Sequence, residues 1–217
     1  MKEKNNFGKS ILKVIIIIVL FTVIVLVSIT MRKFLIISKL EKLLSEMDNV
    51  DNYLRTAISV NTELGQVIEV TSYIKDNKYL SVGNIYENGN NKSKISSYND
   101  GIDMIGIFEQ DGERSTTING VNSGSTTIAV AEEFKINELD KVEYGYFKNP
   151  NNFFRLKILT DVCNSKECYL IQNNNNKYWI DKETGMIIRR MYETGSIEDY
   201  RYEIGNVKDS DIIKPEI

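Results

Sequence analysis

The sequence of 217 residues contains no histidine. A chain without histidine has no Ser-His-Asp or Cys-His catalytic site, no histidine metal site and no simple switch near neutral pH. Proline is also scarce, with only Pro150 and Pro215. Because proline removes a backbone hydrogen-bond donor, its scarcity favours long uninterrupted strands. We therefore expect a strand-rich protein without a metal site or a cofactor.

The chain also lacks an excess of positive charge. It has 27 Lys+Arg and 30 Asp+Glu, and four of the lysines but only one glutamate precede residue 32. The remainder thus has 23 basic and 29 acidic residues. A net negative domain of this kind argues against nucleic acid as a partner and against a basic patch that binds membrane surfaces.

Cysteine is limited to Cys163 and Cys168, which flank the sequence Asn-Ser-Lys-Glu. Two residues on either side of a hairpin loop can lie opposite each other at the separation that a disulfide requires. If this part of the chain lies outside the cytoplasm, we predict a structural disulfide. Idle thiols are the main alternative, and a redox or metal role is favoured least, since the spacing is not C-x-x-C.

The longest apolar run extends from Ile11 to Ile29, and Lys13 is its only charge. About 20 apolar residues in a helix span a bilayer core about 30 Å thick. A cleaved signal peptide is the rival interpretation, but the run is long and no A-x-A-like site follows it. We therefore predict a transmembrane signal anchor at residues 11–31, preceded by a short arm at residues 1–10.

The basic residues of the short arm favour a cytoplasmic N-terminus. Residues 32–217 then form an extracytoplasmic domain, and the protein is a single-pass protein of the cell membrane. A domain of this size can bury one hydrophobic core.

A helical pattern continues after the anchor and then gives way to strands. Residues 33–47 have apolar side chains at helical spacing, which predicts a separate amphipathic helix that packs on the following sheet. From Tyr53 onward the apolar period is two, and turns such as Asn88-Gly89 and Asp111-Gly112 separate the runs. Such turns are typical of tight hairpins. The pattern predicts about ten antiparallel strands, of which residues 142–147 are one.

One segment interrupts this strand pattern. Residues 126–139 place Ile128, Ala131, Phe134 and Leu139 on one side of a helix. We predict a short helix that crosses the concave side of the sheet. It would either plug the core or act as a lid over a cavity.

Residues 177–190 carry a recognisable hairpin, Lys-Tyr-Trp-Ile-Asp-Lys-Glu-Thr-Gly-Met-Ile-Ile-Arg-Arg. This sequence motif resembles the W-I-D-K-x-T-G hairpin of the LolA-like family. That family includes periplasmic lipoprotein carriers, RseB-type sensors of anti-sigma factors and related lipoproteins of Gram-positive bacteria. The ending at residues 202–215 is similar to the last strand and tail of that family. The resemblance implies a membrane-anchored Gram-positive variant of a curved, half-barrel antiparallel sheet, with helices closing an apolar cavity on its concave side.

The resemblance also implies candidate ligand-binding residues. An apolar ligand in the cavity would contact side chains that point inward, and the aromatic and flexible side chains of the later strands are suited to this. The two faces of a strand have opposite parity, so the sequence does not establish which of these side chains point inward. The candidates are Trp179, Ile187, Met191, Met104 and Phe134.

Three functions remain open at this stage. The first is a tethered protein that holds or senses a lipid, a lipoprotein or another apolar ligand, and the second is a non-enzymatic module that regulates or assembles membrane or cell-envelope partners. The third, a hydrolase, would need a paired-carboxylate site such as Asp181 with Glu183 or Asp103 with Asp199. Hairpin turns collect carboxylates for other reasons, and no nucleophile or base accompanies these, so we expect no enzymatic activity and no catalytic residues.

Overall fold

The computed structural model describes residues 3–128, 130 and 144–217. One long helix is followed by strands, two short helices and further strands. The helices are α1 (Glu3–Glu46), α2 (Tyr144–Lys148) and α3 (Pro150–Phe153). The strands are β1 (Asn52–Asn61), β2 (Gln66–Lys75), β3 (Lys78–Glu87), β4 (Asn90–Asn99), β5 (Met104–Gln110), β6 (Glu113–Ile118), β7 (Val121–Ser123), β8 (Lys157–Cys163), β9 (Lys166–Asn173), β10 (Asn176–Asp181), β11 (Ile187–Met191) and β12 (Ile197–Ile204).

All twelve strands belong to one open antiparallel sheet. Its order is β7-β6-β5-β4-β3-β2-β1-β12-β11-β10-β9-β8, so two meanders meet where β1 pairs with β12. The turns explain the meanders: Asn88 and Gly89 both have positive φ, as do Asp111 and Gly112. The backbone twist of such two-residue turns matches the twist of the flanking strands, so each turn leads directly into the neighbouring antiparallel strand.

Helix α1 is continuous from the apolar run into the folded domain. Its 44 residues span about 66 Å at 1.5 Å per residue. The segment from Ile11 is long and apolar enough to cross a membrane. Ile37, six residues after Met31, is fully buried in the domain. The helix therefore connects the apolar segment to the folded domain without a flexible linker.

The sheet has two unlike sides. On the first, which we call the helix side, α1 to α3 pack on a core that extends from Tyr79 on β3 to Ile171 on β9. Those strands are six spacings apart, which is about 29 Å in a flat sheet. Strongly twisted open sheets rarely exceed about ten strands without curling. This sheet is larger and has its helices on one side only, so we take the helix side as concave.

The opposite side, which we call the tail side, is covered in part by the C-terminal residues. Val207 and Ile212 pack there against Tyr98, Ile105 and Ile107. The side chain of Asn52 fastens this tail, because it donates to the carbonyl of Val207 at 3.1 Å and accepts from its N–H at 3.0 Å. The tail thus closes a second, smaller core.

The structure confirms the anchor-like helix, the curved antiparallel sheet and its position under a long N-terminal helix. It corrects other expectations. The sheet has twelve strands, and residues 33–47 belong mainly to α1 instead of forming a separate helix. Tyr144–Lys148 is a helix where a strand was predicted, because Tyr144 and Phe147 are both buried at helical spacing. The predicted crossing helix at residues 126–139 lies largely outside the described residues.

Candidate functional site: the concave side and the strand-end edge

The part of the concave side between β3 and β9 is filled by the protein's own helices. Ile37 and Leu40 of α1 are fully buried, as are Phe147 of α2 and, just beyond α3, Leu156, each with at most 1% of its surface exposed. Phe147 meets the ring of Tyr178 edge to face at 5.3 Å. This half of the concave side is therefore a packed hydrophobic core, and α1 is its largest component.

The β10–β11 turn holds α1 in place. Gly185 adopts φ +72°, and a Cβ there would lie 2.3 Å from the carbonyl oxygen of Leu40. The hydroxyl of Tyr144 donates to the Gly185 carbonyl at 2.9 Å, and burial raises the pKa of Tyr144 far above its usual range, so it stays a donor. Lys148 pairs with Glu41 on the helix. These contacts join the turn, α1 and α2 into one unit.

The predicted ligand-binding residues are divided between the two sides. Ile187 is fully buried in the core on the helix side, and Met104 is half-buried on that side. Trp179 lies on the tail side, because its neighbour Tyr178 packs on the core of the helix side. Met191 also lies on the tail side, because it pairs with Lys177, the other neighbour of Tyr178. Phe134 lies outside the described residues. Whether any of them contacts a ligand stays a prediction.

Trp179 has a polar environment on one edge. Its indole Nε1 donates to Asp161 Oδ2 at 2.7 Å, and the guanidinium of Arg189 lies 6.0 Å from its ring. The indole N–H, together with the backbone N–H of Val162, keeps the pKa of Asp161 below its usual value. Trp179 is thus a half-buried anchor between β8 and β10.

The predicted disulfide is not formed in the structure, where both cysteines are free and buried. The hairpin turn has two residues instead of four, since Asn164 and Ser165 both have positive φ. This turn places Cys163 opposite Lys166 and Cys168 opposite Asp161, so the two cysteines are diagonal. Burial raises the pKa of Cys163 and, to about 11, that of Cys168. Both thiols are therefore protonated and unreactive near neutral pH.

A cavity of about 280 Å³ lies on the tail side near the centre of the sheet. Half of its lining residues are charged, and Arg189 forms a two-pronged ion pair there with Asp199, at 2.6 and 3.0 Å. Its lining residues are Leu54, Thr56, Ile58, Asn164, Arg189, Asp199, Arg201 and Glu203. Such a wall is unsuited to an acyl chain, because burying these charges against hydrocarbon costs free energy.

The carboxylates that a hydrolase would need have structural partners. Asp181 is buried, pairs with Lys166 at 3.1 Å and caps the turn by accepting from the N–H of Glu183. Asp103 pairs with Lys214 at 2.6 Å. These contacts give both carboxylates a structural role.

Sequence reasoning missed an exposed apolar patch at one edge of the sheet, where strands end. The patch consists of Ile102, Val121 and Ile213, which are 83%, 73% and 68% exposed; we call it the edge patch. The backbones of Met104 and Asn119 bond at 2.8 Å and join the first two turns, and the Asp103–Lys214 pair brings the third close. Each of the three is a single exposed apolar residue in its own segment, so no periodic apolar pattern along the sequence indicated them.

No protein-family model matches the sequence, and no curated protein matches it. Solved structures are similar in chain trace. MucB in a Pseudomonas aeruginosa MucA/MucB complex has 11% identity and a TM-score of 0.42, over 82% of this chain and 61% of that one. A second MucB structure has 9% identity, a TM-score of 0.39 and coverage of 82% and 62%.

A LolA superfamily protein of Nitrosomonas europaea has 8% identity and a TM-score of 0.26, over 80% of this chain and 97% of that one. This chain thus spans about three fifths of the MucB chains that it matches. One of these solved structures is described as a LolA superfamily protein, and the hairpin at residues 177–190 resembles the same group.

Proposed function

We propose that this protein is a membrane-tethered, non-enzymatic module that binds a protein partner of the cell envelope. The observation that carries the proposal is the packed core between β3 and β9 on the concave side, where Ile37, Leu40 and Phe147 occupy space that an apolar ligand would need. A holder of lipids needs a sizeable apolar cavity. The described cavity near the sheet centre is lined by charged groups.

We place the folded domain outside the cytoplasmic membrane, with α1 as the anchor. The lysines of the short N-terminal arm support a cytoplasmic N-terminus. The continuous helix then holds the domain close to the membrane surface, because Ile37 is packed in the domain about 9 Å along the helix from Met31. Partners within or next to the same membrane are therefore the ones within reach.

The edge patch is the proposed contact surface. Three large apolar side chains at one edge, bordered by Asp103 and Lys214, form the kind of exposed patch that marks protein interfaces. Its members lie in the β4–β5 turn, at the start of β7 and in the C-terminal tail, and all three are exposed, so a partner can approach them while the core stays intact.

A photoreactive amino acid in place of Ile102 tests this surface in membranes of the native host. We expect one discrete protein adduct, which Val121→Asp reduces at least tenfold, because a buried charge at an apolar contact is costly. Leu64 is the matched control, since it is 68% exposed but lies in the β1–β2 turn at the other ends of the strands. Equal adducts from both positions, or lipid adducts only, would contradict the proposal.

A further inference from the structure

Strand β8 is the last strand in the sheet order, and no described strand pairs with its outer side. The strand at the other end of the order, β7, has three residues, whereas β8 has seven and contains no proline. Leu159 is 51% exposed and Val162 is 67% exposed, and Thr160 is exposed as well. A long, exposed outermost strand is a template for pairing with another strand.

The backbone of β8 shows where a further strand can pair. In an antiparallel ladder, alternate residues direct both their N–H and their C=O toward the same neighbour. The N–H of Val162 donates to Asp161 Oδ1 at 2.8 Å, so it points away from β9 and is already occupied. By alternation, Ile158 and Thr160 also direct their backbone groups outward. The open part of the outer side is therefore centred on Leu159.

The side chains around this centre are self-complementary. If β8 of a second copy lies antiparallel, with the two Leu159 residues opposite each other, Lys157 of each copy is opposite Asp161 of the other. Ile158 is then opposite Thr160 of the second copy, and these two residues supply the hydrogen-bonding backbone groups. The register thus forms one apolar pair and two opposite-charge pairs, which stabilise antiparallel strands. It needs no N–H from Val162.

The same arrangement suits two chains in one membrane. Antiparallel strands pair around a two-fold axis perpendicular to the sheet, so both copies keep their helix sides on the same side. Both α1 helices then lie on one side of the joined sheet. The paired stretch, residues 157–161, is small for a stable interface. Confinement by the two anchors compensates, because it raises the effective concentration of the second copy.

We propose that β8 pairs with β8 of a second copy of this chain, antiparallel and centred on Leu159, so that the membrane-anchored protein is a dimer. This inference goes beyond the proposed function. The edge patch belongs to the β4–β5 turn, β7 and the C-terminal tail, which are remote from β8 in the sheet order. The two surfaces therefore fail or succeed in separate experiments.

Disulfide cross-linking of the full chain in phospholipid vesicles, with copper phenanthroline as the oxidant, tests the register. Facing residues of a pair that is not hydrogen-bonded have Cα atoms about 4.5 Å apart, within the reach of a disulfide. We therefore expect Leu159→Cys to give a cross-linked dimer. Thr160→Cys is the matched control, since its two copies are diagonal and about 7–8 Å apart, so it should react at least about tenfold more slowly. The unsubstituted chain, whose two cysteines are buried, is the blank.

A charge reversal tests the side-chain pairs in the Leu159→Cys chain. Lys157→Glu should slow cross-linking about tenfold, because it converts two opposite-charge pairs into like-charge pairs. Lys92→Glu makes the same change of charge at an exposed lysine of β4 and should leave the rate unchanged. Urea midpoints of the variants establish that each of them folds.

Three results would overturn the proposal. Equal or faster cross-linking at Thr160 would show random collision or another register, and equal rates for Lys157→Glu and Lys92→Glu would exclude the charge pairs. In membranes of the native host, a Leu159→Cys disulfide to a different protein would assign β8 to a strand of that partner instead. Adducts of the edge patch at Ile102 are unaffected by any of these results, so the proposed function is judged separately.

Discussion

Replacing Gly185 with alanine is expected to destabilise the folded domain by about 3 kcal/mol or more. Two costs combine: an L-residue at φ +72° costs about 1–2 kcal/mol, and overpacking costs about 1–3 kcal/mol. The added Cβ would lie 2.3 Å from the carbonyl oxygen of Leu40 and 2.9 Å from the amide nitrogen of Leu44. Backbone atoms of a packed helix cannot move aside cheaply, so the turn and α1 must separate.

Gly195→Ala is the matched control for this prediction. Gly195 has φ +83°, but the nearest atom to its added Cβ is the Thr62 hydroxyl at 3.5 Å. It should therefore carry only the backbone cost, about 1–2 kcal/mol. Urea unfolding of residues 32–217 measures both variants. If Gly185→Ala is no worse than Gly195→Ala, α1 is not packed against the β10–β11 turn as described.

Leu40→Ala is expected to lower the free energy of unfolding by about 2–5 kcal/mol, the range for truncating a fully buried leucine. Leu40 has no exposed surface and contacts the core between the sheet and α2. The preceding Lys39 is exposed on the same helix, so Lys39→Ala should change stability by less than about 0.5 kcal/mol.

Urea unfolding of residues 32–217, monitored by the fluorescence of Trp179, measures both variants. Trp179 is the only tryptophan and lies on the tail side, away from the substitutions. Equal midpoints for Leu40→Ala and Lys39→Ala would show that α1 is merely an anchor and not part of the core.

The strand pattern was largely predictable because hairpins are encoded locally. Turn residues such as Asn88-Gly89 specify positive φ within two positions, and the alternation of apolar residues on either side follows from the pleat. The presence of an N-terminal apolar helix was also predictable, because its apolar run is continuous along the sequence. That α1 is one helix was not, since Arg32 and Lys33 interrupt the apolar run without breaking the helix.

The candidate site depended on features that the sequence does not encode locally. A bulge between Trp179 and Ile180 changes the register of β10 and β11, so Ile187 and Met191 lie on opposite sides of the sheet although they are an even number of residues apart. A two-residue turn instead of four moved Cys163 away from its expected partner. The edge patch is formed by residues that are distant along the chain, and only the sheet brings them together.

The most direct test of the account is native mass spectrometry of residues 32–217, purified without detergent and compared before and after unfolding. A concave side filled by α1, α2 and α3 predicts the mass of the polypeptide alone in both states. A lipid or acyl mass that accompanies the folded protein and disappears on unfolding would contradict the account and establish the ligand-holding function in its place.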